Sequence, residues 1–258
     1  MNPTTLRLPK RAAKPRSSGI TMVIDGGLPT QYFADVVSSG AEYFDYVKFG
    51  WGTSLVTGDL SKKIDILRDA GVAFYFGGTL FEKYVFQDRL DEFRDLCHHY
   101  SCQYVEVSNG TIDLTNTEKA GYIHKLSGEF EVISEVGFKD VERSENLAPS
   151  RWIECIHEDL DSGACLVTLE SRESGRSGIC RSNGELRLGL IEEFLSCGLD
   201  QKKLLFEAPS TELQTFFVKR IGPNVNLGNV AATAVLGLET IRLGLRADTL
   251  TCFDGGTA

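Results

Sequence analysis

Five carboxylates and three cations stand next to glycine- or serine-containing turns at wide, similar intervals along this chain: Asp25, Glu106, Glu135, Glu170 and Glu207, with Lys48, Lys139 and Arg172. Carboxylates gathered in a protein interior are costly unless they meet a cation, so such a set points either to a site or to an inert ring of ion pairs with the two lysines and the arginine. All the donors are oxygens and no histidine stands near them, a combination that favours a hard divalent ion such as Mg²⁺ over zinc. The five carboxylates are therefore the expected metal ligands. The cations would lower the repulsion of anionic substrates, with Arg172 gripping an anionic group. A lysine whose pKa is lowered by burial or by a cationic neighbour could deliver a proton. Lys139 is the expected general acid and Lys48 the reserve. Gly228 and Asn229, read as the start of the last helix, form the expected phosphate cradle. Ser108 and Asn226, in the same kind of segment, complete the expected substrate-binding set.

These residues must be positioned by repeating elements. Short β-branched or aromatic runs predict strands at Ile20–Ile24, Tyr46–Phe49, Ala73–Phe76, Tyr104–Val107, Val132–Val136, Cys165–Leu169, Lys203–Phe206 and Val225–Leu227. Helical apolar spacing predicts helices at Pro29–Ser38, Asp59–Ala70, Arg89–His99, Asn116–Leu126, Ser150–Ser162, Gly189–Cys197, Thr211–Ile221 and Asn229–Leu243. Eight alternating units fit an α/β fold, a closed (β/α)8 TIM barrel. The successive strand-end positions Asp25, Lys48, Gly77, Glu106, Glu135, Glu170, Glu207 and Gly228 are 23, 29, 29, 29, 35, 37 and 21 residues apart, as such units require. An open doubly wound sheet would more often carry a Gly-x-Gly-x-x-Gly turn after its first strand, and Asp25-Gly-Gly-Leu-Pro29 lacks it. In such barrels the strand C-termini carry the chemistry, which is where the charged residues fall.

The remaining composition narrows the function. With 27 Lys and Arg against 36 Asp and Glu the chain has a net charge of −9, which argues against a nucleic-acid binder working by general attraction to phosphates. No apolar run approaches the roughly 18 residues of a membrane span, and the N-terminus lacks a signal-peptide layout; a cytoplasmic protein without a membrane partner is expected. The seven cysteines form no Cys-x-x-Cys pair and read as reduced thiols. His98, His99, His124 and His157 fall in predicted helices, away from the strand ends. Residues 1–18, rich in Pro, Lys and Arg, read as an N-terminal arm, mobile or strapped to the surface, with residues 19–258 forming the barrel.

Taken in order, Lys48-Phe-Gly-Trp-Gly-Thr53, Gly77-Gly-Thr-Leu-Phe-Glu82, Val105-Glu-Val-Ser-Asn-Gly-Thr111, Glu135-Val-Gly-Phe-Lys139, Glu170-Ser-Arg-Glu-Ser-Gly175, Phe206-Glu-Ala-Pro209, Asn224-Val-Asn-Leu-Gly-Asn229 and Gly244-Leu-Arg-Ala-Asp-Thr249 resemble the phosphosulfolactate synthase family. The resemblance runs from Gly19 to Thr249. It departs at Ala247, where the family usually has Gly, and at 180–185. It implies a (β/α)8 lyase that uses Mg²⁺ to add sulfite to phosphoenolpyruvate, giving (2R)-phospho-3-sulfolactate, the first step toward coenzyme M in an archaeal setting. It also implies a homo-oligomer, such as a trimer. The family includes relatives of less defined activity. A barrel enzyme acting on another phosphorylated or sulfonated small acid, and a non-catalytic stress-associated protein, are therefore the alternatives.

Overall fold

Each strand of this protein alternates in what it carries. Val47, Phe49, Phe74, Phe76, Val105, Val107 and Val132 point toward one apolar cluster, and Val167, Leu169, Leu204, Phe206, Leu227 and Val230 toward another, both shared with the surrounding helices. The intervening positions hold a third cluster around Met22, Tyr75, Ile133, Leu166 and Leu205. Apolar residues on both faces are the pattern of a parallel sheet buried on both sides. The computed structural model describes residues 5–172 and 174–253, and it contains eight parallel strands: β1 (Thr21–Asp25), β2 (Tyr46–Phe49), β3 (Ala73–Phe76), β4 (Tyr104–Val107), β5 (Glu131–Val136), β6 (Ala164–Leu169), β7 (Leu204–Glu207) and β8 (Leu227–Ala231).

The sheet order is β3-β2-β1-β8-β7-β6-β5-β4, so the strands run round a nearly closed (β/α)8 barrel whose seam lies between β3 and β4. Helices α1 (Thr30–Gly40), α2 (Leu60–Asp69), α3 (Gly78–Phe86), α4 (Leu90–His99), α5 (Asn116–Leu126), α6 (Val141–Asn146), α7 (Pro149–Asp161), α8 (Leu188–Ser196), α9 (Thr211–Ile221) and α10 (Val235–Arg242) alternate with the strands. The predicted eighth unit needs correction. Its strand begins at Leu227 rather than Val225, and its helix begins at Val235 rather than Asn229. Asn229 takes φ 50° at an irregularity in the β1–β8 ladder, which lets the strand run on past the glycine. The helix α3, entered directly from β3, was not predicted, because Gly-Thr-Leu-Phe-Glu-Lys-Tyr-Val-Phe is apolar and aromatic on nearly every side.

The period of two along the strands also explains where charge sits. Two residues beyond Tyr46, Tyr104, Ile133 and Leu205, on the same face, come Lys48, Glu106, Glu135 and Glu207. The barrel interior is thus apolar in its lower part, with Tyr46 against Tyr104 at 4.9 Å between ring centroids, and charged at the C-terminal end. The opposite, N-terminal end is strapped by the arm. Arg11 pairs with Glu239 at 2.9 Å and donates to the carbonyls of Pro223 and Gly19, and Arg16 pairs with Asp45 at 2.9 Å. None of the described residues forms a helix long and apolar enough to cross a membrane. The seven cysteines are all free thiols, four of them buried.

Candidate active site

Two lysines enter the charged end of the barrel from different elements. Lys48, from β2, places Nζ 3.0 Å from Glu106 Oε1, 3.3 Å from Glu135 Oε2 and 3.9 Å from Glu207 Oε1. Lys139, from the turn after β5, places Nζ 2.8 Å from Glu135 Oε1, 3.4 Å from Glu170 Oε2 and 4.0 Å from Glu82 Oε1. The turn that returns Lys139 over its own strand depends on Gly137. Its φ is 121°, and a Cβ there would lie 2.5 Å from Trp152 Cη2 and 2.8 Å from Glu170 Cβ, so neither the conformation nor the space admits a side chain. The Lys139 N–H then donates to the Gly110 carbonyl at 3.1 Å, which fixes the turn to the loop after β4.

The ring of ion pairs and the candidate site are therefore one structure. Burial opposes the charge on both lysines, but the surrounding carboxylates outweigh it and hold both ammonium groups above the usual lysine range. This corrects the expectation of a lowered lysine pKa: the cationic neighbour that would lower it is absent from the first contacts of either Nζ among the described residues, and glutamates stand there instead. Burial likewise pushes the carboxylates up. Glu106 reaches about 7, with Lys48 opposing and Glu135 adding to the rise. Burial and the neighbouring Glu207 and Glu135 hold Glu170 well above the usual range, and burial raises Glu207 despite Lys48. Glu135 alone goes the other way, because Lys139 and Lys48 together outweigh its burial.

Three of the expected metal ligands come together. Glu135, Glu170 and Glu207, all buried, each offer an oxygen within 4.8 Å of the others. Glu170 Oε2 accepts no hydrogen bond among the described residues, nor does Asn229 Oδ1 meet a donor, while Asn229 Nδ2 donates to Glu207 Oε1. Counting Glu82 and Glu106, five carboxylates face two ammonium groups here. Such an excess repels polyanions unless protons or a cation offset it, and an all-oxygen set with free lone pairs fits a hard divalent cation.

Asp25 and Glu106 do not join that trio. Asp25 is used up by Lys63 of α2, 2.6 Å from Oδ2, and by the Gly27 and Leu28 N–H groups, each 2.8 Å from Oδ1. Glu106 accepts from Lys48 and from the Gly78 N–H at the start of α3, and so ties β4 to the β3 unit where the ladder is missing. Of the expected substrate-binding set, Arg172 is exposed at the mouth; its N–H donates to Glu170 Oε1 and its Nη1 lies 3.4 Å from the Lys139 carbonyl. Ser108 is buried and donates to Glu82 Oε1 at 2.6 Å. Gly228 is no cradle at a helix start, for it lies within β8, where a Cβ would meet Leu205 Cδ2 at 3.0 Å and Met22 Cε at 3.1 Å. Asn226 sits at the other end of the barrel, accepting from the Ile20 N–H and donating to the Lys202 and Leu204 carbonyls.

Residues that the sequence reading gave no role support the site from outside. Glu82, one turn into α3 from Gly78, accepts from the Thr111 and Ile112 N–H groups at 2.8 Å and so holds the loop after β4 against the pocket. The i, i+4 step from Gly78, already at a strand end, is the signal that could have found it. Lys119 of α5 pairs with Asp159 of α7 at 2.7 Å and donates to the Glu135 carbonyl at 2.9 Å, with both side chains fully buried.

The chain matches known proteins over nearly its whole length. Residues 9–248 match the family model of (2R)-phospho-3-sulfolactate synthase (ComA). The chain is 49% identical over 249 residues, 96% of its own length and 99% of the relative's, to the phosphosulfolactate synthase of Bacillus subtilis (strain 168). It is 39% identical over 256 residues, 97% of this chain and 98% of the relative, to that of Methanothermobacter thermautotrophicus. In three dimensions it resembles a 3-hexulose-6-phosphate synthase from Salmonella typhimurium, with TM-score 0.57 at 12% identity over 88% of this chain and 100% of that one, a likeness of fold. The nearly closed ring of eight parallel strands defines a protein of the TIM-barrel class. Within that class, the chain belongs to the (2R)-phospho-3-sulfolactate synthase family.

Proposed function

We propose that this protein is a carbon–sulfur lyase that catalyses the Mg²⁺-dependent addition of sulfite to phosphoenolpyruvate, giving (2R)-phospho-3-sulfolactate. The observation that carries this reading is a lysine ammonium, Lys139, held charged between Glu135 and Glu170 at the edge of a cluster of buried carboxylates. In the reaction the sulfur lone pair attacks the methylene carbon, the double-bond electrons move toward the substrate carboxylate, and a proton arrives at the phosphate-bearing carbon. Lys139 has that proton to give and regains it from solvent. Arg172, at the mouth, grips an anionic group of the substrate, and Lys48 offsets the charge of Glu106, Glu135 and Glu207. Glu135, Glu170 and Glu207 would hold the metal, with Asn229 Oδ1 beside them. When bound, Mg²⁺ supplies a Lewis acid for the charge that develops on the substrate carboxylate.

The test is to follow loss of phosphoenolpyruvate with the purified protein while each component is omitted in turn. Consumption that needs both sulfite and Mg²⁺ and stops with a chelator is the expected result. Consumption indifferent to sulfite would point to another reaction of phosphoenolpyruvate, and no consumption by folded protein to another acid as the substrate.

A further inference from the structure

The turn Gly50–Leu55, which follows β2, contains two consecutive left-handed residues, Trp51 at φ 51°, ψ 27° and Gly52 at φ 72°, ψ 17°. Glycine takes this conformation freely, whereas a side chain with a Cβ meets its own backbone there. Trp51 is also 50% exposed, in contrast to Trp152, the other tryptophan, which is fully buried. An unfavourable backbone and a half-wet indole thus fall on one residue, and neither is needed to complete the core.

Its surroundings supply the reason. The Trp51 ring lies so close to Gly26, just past β1, that a Cβ there would be 2.6 Å from Cζ3. From that position it lines the pocket together with Lys48, Lys139, Glu170, Glu207 and Asn229. Apart from Ile24, Gly77 and Gly78, the rest of the lining is polar or charged, so the indole supplies the broad apolar plane in this cavity. The face of an indole carries the negative side of its quadrupole, so it repels phosphate and sulfonate and suits an uncharged carbon. Strain that persists at a site mouth is the kind that a function retains.

We propose that Trp51 is a specificity-determining wall of the site, covering one face of the unsaturated methylene end of the bound anion and leaving the opposite face to sulfite, drying that end and limiting the size of substituent its carbon carries in the plane of the double bond. This rests on the reaction proposed above. Enclosing that carbon strengthens the charged contacts around it and keeps solvent from the developing charge.

Two measurements test it. The first compares kcat/KM for phosphoenolpyruvate and for its 3-methyl analogue in the wild type, Trp51→Ala, Trp51→Phe and Gly26→Ala, the last chosen because its added methyl displaces the ring without removing it. Trp51→Ala is expected to raise KM for phosphoenolpyruvate about tenfold and to raise the analogue-to-substrate ratio about tenfold or more, as expected for one methyl group in an apolar pocket. Gly26→Ala is expected to move both in the same direction and Trp51→Phe to move them least. The second measures acrylamide quenching of tryptophan fluorescence with and without phosphoenolpyruvate and Mg²⁺. Since Trp152 is buried, the quenching reports Trp51, and it should fall about twofold on binding in the wild type and not in Trp51→Phe. Variants that melt earlier but keep the wild-type KM and analogue ratio would overturn the assignment. So would quenching that changes with protein concentration and not with ligand, which would place the ring between copies of the chain. Absent turnover with a protected Trp51 would overturn the reaction and leave the wall in place, whereas absence of both would overturn both.

Discussion

Lys139 Nζ lies 2.8 Å from Glu135 Oε1, and the other oxygen of the same carboxylate lies 3.3 Å from Lys48 Nζ, so Glu135 joins the two lysines of the pocket. Its carboxyl is held below the usual range by the two lysines despite burial, and its backbone carbonyl is gripped from outside the barrel by Lys119. A carboxylate fixed at both ends in this way sets where the Lys139 ammonium stands.

Replacing Lys139 with Met keeps much of the side-chain volume and removes the proton. Turnover is expected to fall about 10² to 10⁴-fold, the range for loss of a general acid, with the fold retained by circular dichroism. Lys139→Met that turns over near the wild-type rate would remove Lys139 from the mechanism.

Glu106 gives a stability prediction whose sign follows from its shift. In the unfolded chain its carboxyl titrates near 4.5, and in the fold burial raises it to about 7, so the folded state binds the proton more tightly. The stability this contributes is full below about 4.5 and is lost as the pH rises through about 7. In metal-free protein, Glu106→Gln should flatten the decline in urea-unfolding free energy between these limits by roughly 1–3 kcal/mol. An unchanged slope would contradict the assignment.

Addition of Mg²⁺ should stabilise the protein, and the effect should depend on the trio of buried glutamates. At about a hundredfold excess over the dissociation constant, binding contributes roughly 2.7 kcal/mol, which raises the melting temperature on the order of 5 °C in a chain of this size. Glu207→Gln and Glu170→Gln should lose most of that shift, whereas Asp65→Asn, an exposed change on α2, should keep it. Equal shifts in all three would place the metal elsewhere.

Gly178 holds the segment that carries Glu170. Its φ is 62°, and a Cβ there would fall 1.7 Å from the Glu170 carbonyl oxygen, which accepts the Ile179 N–H at 2.8 Å. Gly178→Ala must break that contact and is expected to cost about 3 kcal/mol or more in unfolding free energy, read by chemical denaturation. A cost under about 1 kcal/mol would show that the segment relaxes freely.

Much of this was legible in the sequence because strands and their end residues are local features. β-rich runs at regular spacing marked Lys48, Glu106, Glu135 and Glu207 as strand-end groups, and β2, β3 and β4 match their predicted bounds. The eighth unit misled because the irregularity at Asn229 has no local signature: Gly228-Asn229 reads equally as a helix entry or as strand. Which carboxylates share a partner is a long-range matter. Nothing near Asp25 announces Lys63, 38 residues on, as the cation that takes it out of the cluster. Asn226, two residues from Gly228 in sequence, belongs to the opposite end of the barrel, because a strand carries its neighbours along the axis.

The measurement that bears most directly on the central claim is phosphorus NMR of the protein with phosphoenolpyruvate, sulfite and Mg²⁺, run beside Lys139→Met. A new phosphate monoester that appears with the wild type only when all three are present, and does not appear with Lys139→Met over the same time, is the result this account predicts. Wild-type protein that is folded and binds Mg²⁺ yet leaves phosphoenolpyruvate unchanged in the presence of sulfite would contradict it.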